Sequence, residues 1–224
     1  MKRFALAIFA LFLMTIGLGA LSGCSNQKEN PQDVLYNWLL ENGELVDGSD
    51  FVYKDGDFTL YTDSSRKMFV DCIIHDYNGY EVTVQLPLFS GSKNVKGEII
   101  VQNKDSYGRF FCYHNPENFT MKTPLSFDRG YQNPDIETIS LDDYGTFKDE
   151  DGKLIFCLDE SKREEYERKK EHNEETNRQI ELREGIAREV SHKAISSILD
   201  WLNKKTNIDA SDLGYAQYNA SNKK

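Results

Sequence analysis

Ser90 and Lys93 stand at the S-x-x-K spacing by which a lysine deprotonates a serine for acyl transfer. That chemistry also needs the serine at a helix start and a K-T-G triad. Here Ser90-Gly91-Ser92-Lys93 lies between two strand-like runs, and no K-T-G occurs. Glu189 and His192 show E-x-x-H spacing, which puts both side chains on one helix face for a di-iron carboxylate site. The partner motif and the further carboxylate helices are missing from the sequence. His75, set opposite Glu81, has the makings of a base oriented by a carboxylate. Asp149-Glu150-Asp151-Gly152 begins like a calcium loop but lacks the remaining ligand spacing. No catalytic, cofactor or metal set is complete, so the expectation is a chain that does no chemistry by any of these routes.

A different pattern suggests contact with another protein. Phe119, Phe127, Tyr131 and Tyr144 fall in or beside a long stretch rich in turn residues, with Arg129 among them. Tyr, Phe and Arg are the types that anchor protein interfaces. Phe127, Arg129 and Tyr131 are therefore the candidate partner contacts.

These residues must be positioned by elements whose periods are readable. Asn30-Pro31 reads as a helix start, with asparagine as cap and proline at the first helical position. Val34, Leu35, Trp38 and Leu39 would line one face. Gly43 would end the helix in a left-handed conformation. From Phe51 the period is two. A two-residue turn at Asp55-Gly56 would pair Tyr53 with Phe58 and Phe51 with Leu60.

For the next hairpin, a two-residue loop at Asn78-Gly79 would oppose Asp76 to Glu81. A longer turn, with Gly79 as a bulge residue, pairs Asp76 with Tyr80 and aligns Ile74 with Val82, Cys72 with Val84, Val70 with Leu86, and Met68 with Leu88. One face then becomes uniformly apolar, so this register is expected. It leaves His75 opposite Glu81 and Asp71 opposite Gln85 on the other face. Further strands are expected at Val95–Gln102, Tyr107–His114 and 136–141, with a last hairpin from Thr146-Phe147 to 153–158.

A helix from Asp159 or Ser161 to about Asn203 should follow, with a break possible near 173–177. Its first half is charged and solvated. Its second half buries Ile180, Ala187, Val190, Ala194, Ile198 and Trp201. The expected fold is α+β: an antiparallel meander of about six to eight strands, with a short N-terminal helix and a long C-terminal one.

The N-terminus carries the densest signal. Lys2 and Arg3 precede an apolar run over residues 4–21, which closes on Leu21-Ser22-Gly23-Cys24. The tetrad resembles a bacterial lipobox. That resemblance implies cleavage before Cys24, a diacylglyceryl group on its thiol, and anchoring outside the cytoplasm at a cell membrane or outer membrane. The chain then divides into a leader at 1–23, a tether at 24–30, a helix plus antiparallel β domain at 31–158, and a long helix with a docking tail at 159–224.

The formal charge of −10 becomes −12 once the leader's two positive charges are removed. Such a surface repels nucleic acid and anionic headgroups, so the membrane partner is reached through lipid alone. Cys72, Cys112 and Cys157 sit in apolar runs and read as buried free thiols, with one disulfide pair among them as the alternative in an oxidising compartment. The functional expectation is a non-catalytic, membrane-anchored module that binds or helps assemble envelope components. Two alternatives stand beside it. One is a carboxylate-based hydrolase acting on an envelope substrate. The other is a small-ligand carrier whose sheet closes into a barrel.

Overall fold

The computed structural model describes residues 29–47, 50–63, 65–91, 93–133, 135–140, 146–148, 151, 154–156 and 160–215. Cys24, Tyr144 and Cys157 lie outside them, as do residues 149, 150 and 152 of the acidic turn and the tail beyond Tyr215. Among the described residues, no helix is long and apolar enough to cross a membrane.

Helix α1 (Pro31–Asn42) leads into strands β1 (Glu44–Asp47), β2 (Asp50–Asp55), β3 (Phe58–Thr62), β4 (Met68–Tyr77), β5 (Tyr80–Pro87), β6 (Val95–Gln102), β7 (Tyr107–His114) and β8 (Ser126–Gln132). A separate hairpin, β9 (Thr146–Lys148) with β10 (Leu154–Phe156), precedes helix α2 (Glu160–Thr206). The eight strands form one antiparallel sheet in chain order, with β1 and β8 as its edges. The fold is thus the α+β meander that the periodicity implied. Being open, with α2 packed across one face, the sheet encloses no lumen of the kind a barrel carrier needs.

Alternation explains which face α2 covers. In β4 and β5 the even-numbered residues Val70, Cys72, Val82, Val84 and Leu86 are buried, while their odd-numbered neighbours are half-buried. Ile186, Ala187, Val190 and Ala194 of α2 pack on Val82, Val84, Ile99, Val101 and Phe110. Further along, Ile195, Ile198, Leu199 and Leu202 join Leu35 and Leu39 of α1 over Leu60, Met68 and Val70. Asp55 pins the far end of α2: its carboxylate accepts from Trp201 Nε1 at 2.8 Å and pairs with Lys205 at 2.8 Å.

Several local expectations are corrected. The β2–β3 turn is Gly56-Asp57, with Asp55 paired to Phe58 and Tyr53 to Leu60. Gly56 alone takes a positive φ, as the first central position of a type II′ turn requires. The β4–β5 hairpin does turn through two residues, Asn78 (φ 53°) and Gly79 (φ 81°), the pattern of a type I′ turn. A bulge between Ile74 and Tyr77, with Asp76 at φ 52°, absorbs one residue. Ile74 therefore still faces Val82, and Asp76 does not oppose Glu81. The favoured turn and the apolar register coexist because the bulge reconciles them.

Gly43 is not left-handed. A Cβ there would lie 2.7 Å from the Leu39 carbonyl and 3.1 Å from that of Val52, so the glycine lets the helix end touch β2. Gly43→Ala should cost about 1–3 kcal/mol through overpacking against backbone, read as a lower denaturation midpoint.

Residues 135–140 form no strand; instead Glu137 lies against α2. Its backbone exchanges two hydrogen bonds of 2.8 Å with the Asn173 side chain, and its carboxylate takes both Arg168 nitrogens at 2.6 and 2.8 Å. Asn173, suspected as a break, is a docking amide in an uninterrupted 47-residue helix. The long 115–144 stretch contains β8, whose Ser-Phe-Asp-Arg-Gly-Tyr-Gln sequence lacks clean alternation because it is an edge strand. Cys72 and Cys112 are buried free thiols, and burial pushes each up to about 11.

Candidate functional site

The structure disperses the motif candidates. Ser90 and Lys93 are both exposed on the connection between β5 and β6, at the rim of a hollow of about 410 Å³ that Phe89, Glu117 and Tyr215 also line. Neither the helix start nor the desolvation that a lysine base needs is present there. Glu189 and His192 look different ways. Glu189 accepts from the Tyr77 hydroxyl, while His192 stacks on Phe119 with ring centroids 5.5 Å apart.

His75 is 60% exposed, with Nδ1 3.2 Å from Glu81 and Nε2 3.5 Å from Asp57. Cys72 lines the same hollow of about 350 Å³, yet its thiol is held protonated by burial and both ring nitrogens of His75 face carboxylates. No activated nucleophile results. Among the described residues, no group of three or more His, Cys, Asp or Glu side chains could hold a metal ion.

The three partner-contact candidates separate. Phe127 lies under the Arg188 guanidinium, 4.4 Å from its ring centroid. Arg129 pairs with Glu184 of α2 at 2.5 Å. Both are therefore engaged in docking the helix to β8. After the bulge between Gly108 and Phe110 in the β7–β8 pairing, Tyr131 turns toward Tyr107 and stays 62% exposed. Phe119, also considered as a contact, is fully buried.

His114, which had no evident partner in the sequence, is 3% exposed and shares a 3.0 Å hydrogen bond through Nε2 with the Tyr215 hydroxyl. Phe119 and Tyr215 enclose its ring. Burial pushes His114 down to about 4, with the nearby His192 adding to the effect. This cluster clamps the tail after α2 onto the sheet. It presents no reacting atom to solvent and is read as structural.

The face of the sheet opposite α2 carries the residues that remain. Register places Thr59, Asp71, Gln85, Glu98, Phe111 and Asp128 side by side across β3 to β8. Within this row Gln85 Nε2 donates to the Tyr61 hydroxyl at 2.6 Å, and Tyr61 donates to Asp71 Oδ1 at 3.2 Å. Glu98 pairs with Arg109 at 3.1 Å. Aromatic rings flank the row. Tyr61 stacks on Phe69 with centroids 5.5 Å apart, and Lys96 sits 3.7 Å over the Phe111 ring beside Tyr113. Ile73, Thr83 and Ile100 line its other side.

The chemistry of this row is that of a prepared polar platform. Its carboxylate, amide and phenol are oriented by one another before any ligand arrives. Desolvation raises the Asp71 carboxyl above its usual range, and the negative charge of Glu98 adds to the rise. Hydrogen bonds from Tyr61 and Gln85 oppose it. Burial and the neighbouring Asp71 push Tyr61 above the ordinary phenol value.

The two carboxylates do not stand side by side as a retaining hydrolase pair does. Asp71 and Glu98 are separated by Gln85, so their backbone positions lie two strand spacings, roughly 10 Å, apart. The carboxyls of a retaining pair stand about 5 Å apart, and those of an inverting pair about 6.5–9.5 Å apart on opposite sides of the scissile bond. Both carboxylates here rise from one face. That face can bind and orient a ligand.

From the sequence alone only one pair of this row is legible, Asp71 opposite Gln85. Glu98, Phe111 and Tyr61 join it only through registers that the turns alone do not reveal. The signal that could have found them is the recurrence of aromatics at solvent-face positions of β3, β4 and β7. Compared with protein-family models, with curated proteins and with solved structures, the chain has no significant match in any of the three.

Proposed function

We propose that the chain is a non-catalytic binding module of the bacterial cell envelope, anchored outside the cytoplasm by lipid on Cys24, which presents the open sheet face to an envelope component. The observation that carries this reading is the hydrogen-bonded Tyr61–Asp71–Gln85 row, framed by Phe69, Phe111 and Tyr113 on a face that neither helix covers. Half-buried polar groups already oriented by one another lose little entropy on engaging a ligand, which is the economy that preorganised sites exploit. Tyr131, exposed beside Tyr107, extends the aromatic surface toward the β8 edge.

In-cell crosslinking followed by fractionation tests the reading. The unaltered chain should sediment with membranes and form one discrete crosslinked adduct. Cys24→Ser should leave the membrane fraction. A Gln85→Ala, Phe111→Ala double variant should stay at the membrane and lose the adduct. Equal adduct from the double variant would contradict the assignment of the face, and membrane retention of Cys24→Ser would contradict the anchor.

A further inference from the structure

Resting on the reading of the open face as the binding surface, we infer that its occupant is a β-1,4-linked glycan strand that is uncharged or carries amines. Three features of the face select that chemistry. The first is its charge. Asp71, Glu98 and Asp128 share the central row against two cations, Arg109 paired with Glu98 and Lys96 over Phe111, so the row keeps an acidic excess. With a net charge of −10 on the whole chain, a polyanion would meet like charge both locally and at long range. A neutral or cationic polymer would not.

The second is the alternation of ring and polar group. Pyranose rings with equatorial substituents have apolar C–H faces and a rim of hydroxyls. Tyr61 stacked with Phe69 at one end, and Phe111 with Tyr113 at the other, offer apolar plates, and the Lys96 ammonium that lies over the Phe111 ring must swing aside for a sugar to stack there. Between them, the Asp71 and Glu98 carboxylates accept hydrogen bonds, and the Gln85 amide both donates and accepts. A peptide strand would seek unpaired backbone groups instead. Those in the middle of this sheet are already paired within the ladder.

The third is spacing. Asp71 and Glu98 sit two strand spacings apart, roughly 10 Å, with Gln85 midway. That matches the length of one disaccharide unit of a β-1,4-linked chain, so equivalent hydroxyls of alternate sugars can reach the two carboxylates. The strand would run across the β-strands, along the row.

Detergent-solubilised full-length protein, co-sedimented with insoluble chitin and with its deacetylated form, chitosan, tests this, with dextran sulfate as a soluble polyanion competitor. Binding to one or both polymers is expected, and binding to chitin should be unaffected by dextran sulfate. Phe111→Ala and Gln85→Ala should each weaken it about tenfold, or ~1.4 kcal/mol, and Glu98→Gln, which keeps the side-chain shape, should weaken binding to chitosan more than to chitin. Circular dichroism melts confirm that each variant is folded. Absence of binding to either polymer, in a protein that still forms its envelope adduct in cells through this face, would overturn the glycan and leave the binding face standing. Loss of both would overturn both. Release of reducing ends from chitin would overturn the non-catalytic reading.

Discussion

Between pH 7 and pH 4 the folded chain is expected to lose about 3 kcal/mol of stability through His114. The buried ring, tied to Tyr215 and enclosed by Phe119, is depressed to about 4, against an unfolded value of 6.5. The unfolded chain therefore binds the proton first. The contribution is complete above about pH 6.5 and disappears as the pH falls through that value toward 4. His192 shifts in the same direction, also by burial, and adds to the slope. Urea denaturation of the unaltered chain and of His114→Gln across this window is the check. The variant should show a visibly flatter dependence on pH. Parallel curves would mean that the clamp on the tail is not where the acid sensitivity lies.

Phe110→Ala and Phe111→Ala should part company despite adjoining each other in β7. Phe110 is fully buried between sheet and α2, among Val101, Ile186 and Ala187. Truncation there leaves a cavity and should cost about 3–5 kcal/mol. Phe111 is half-buried on the open face under Lys96, and its truncation should cost roughly 1 kcal/mol or less while abolishing the aromatic plate. Denaturation midpoints give the first comparison and ligand binding the second. If Phe111→Ala destabilised the chain as strongly as Phe110→Ala, the open face would be a covered core surface, and the binding account would fall with it.

How far the sequence carries depends on how strongly burial constrains a segment. Strands β4 to β7 were legible because a slip of one residue would turn every apolar side chain of Val70, Val84, Ile99 or Phe110 outward. Their order and the covering helix followed. The turns were less legible, since the asparagine-glycine preference and the apolar register appeared incompatible until the bulge at Asp76 satisfied both. Edge strands β1 and β8 have one ladder instead of two, and Phe127 and Arg129 are set by contacts with α2 far along the chain. Those residues looked available for a partner because their own partner is encoded more than fifty residues later. The candidate site was hidden for a related reason. Each strand shows its solvent face as ordinary polar positions, and the row from Tyr61 to Phe111 exists only after five strands are aligned.

The most direct test of the central claim is site-specific photocrosslinking in cells, with the photoreactive side chain placed at position 111 on the open face or at position 182. Leu182 is 48% exposed on α2. The account predicts that position 111 captures the envelope component and position 182 does not. Capture from 182 with none from 111 would place the binding surface on the helix and contradict the account.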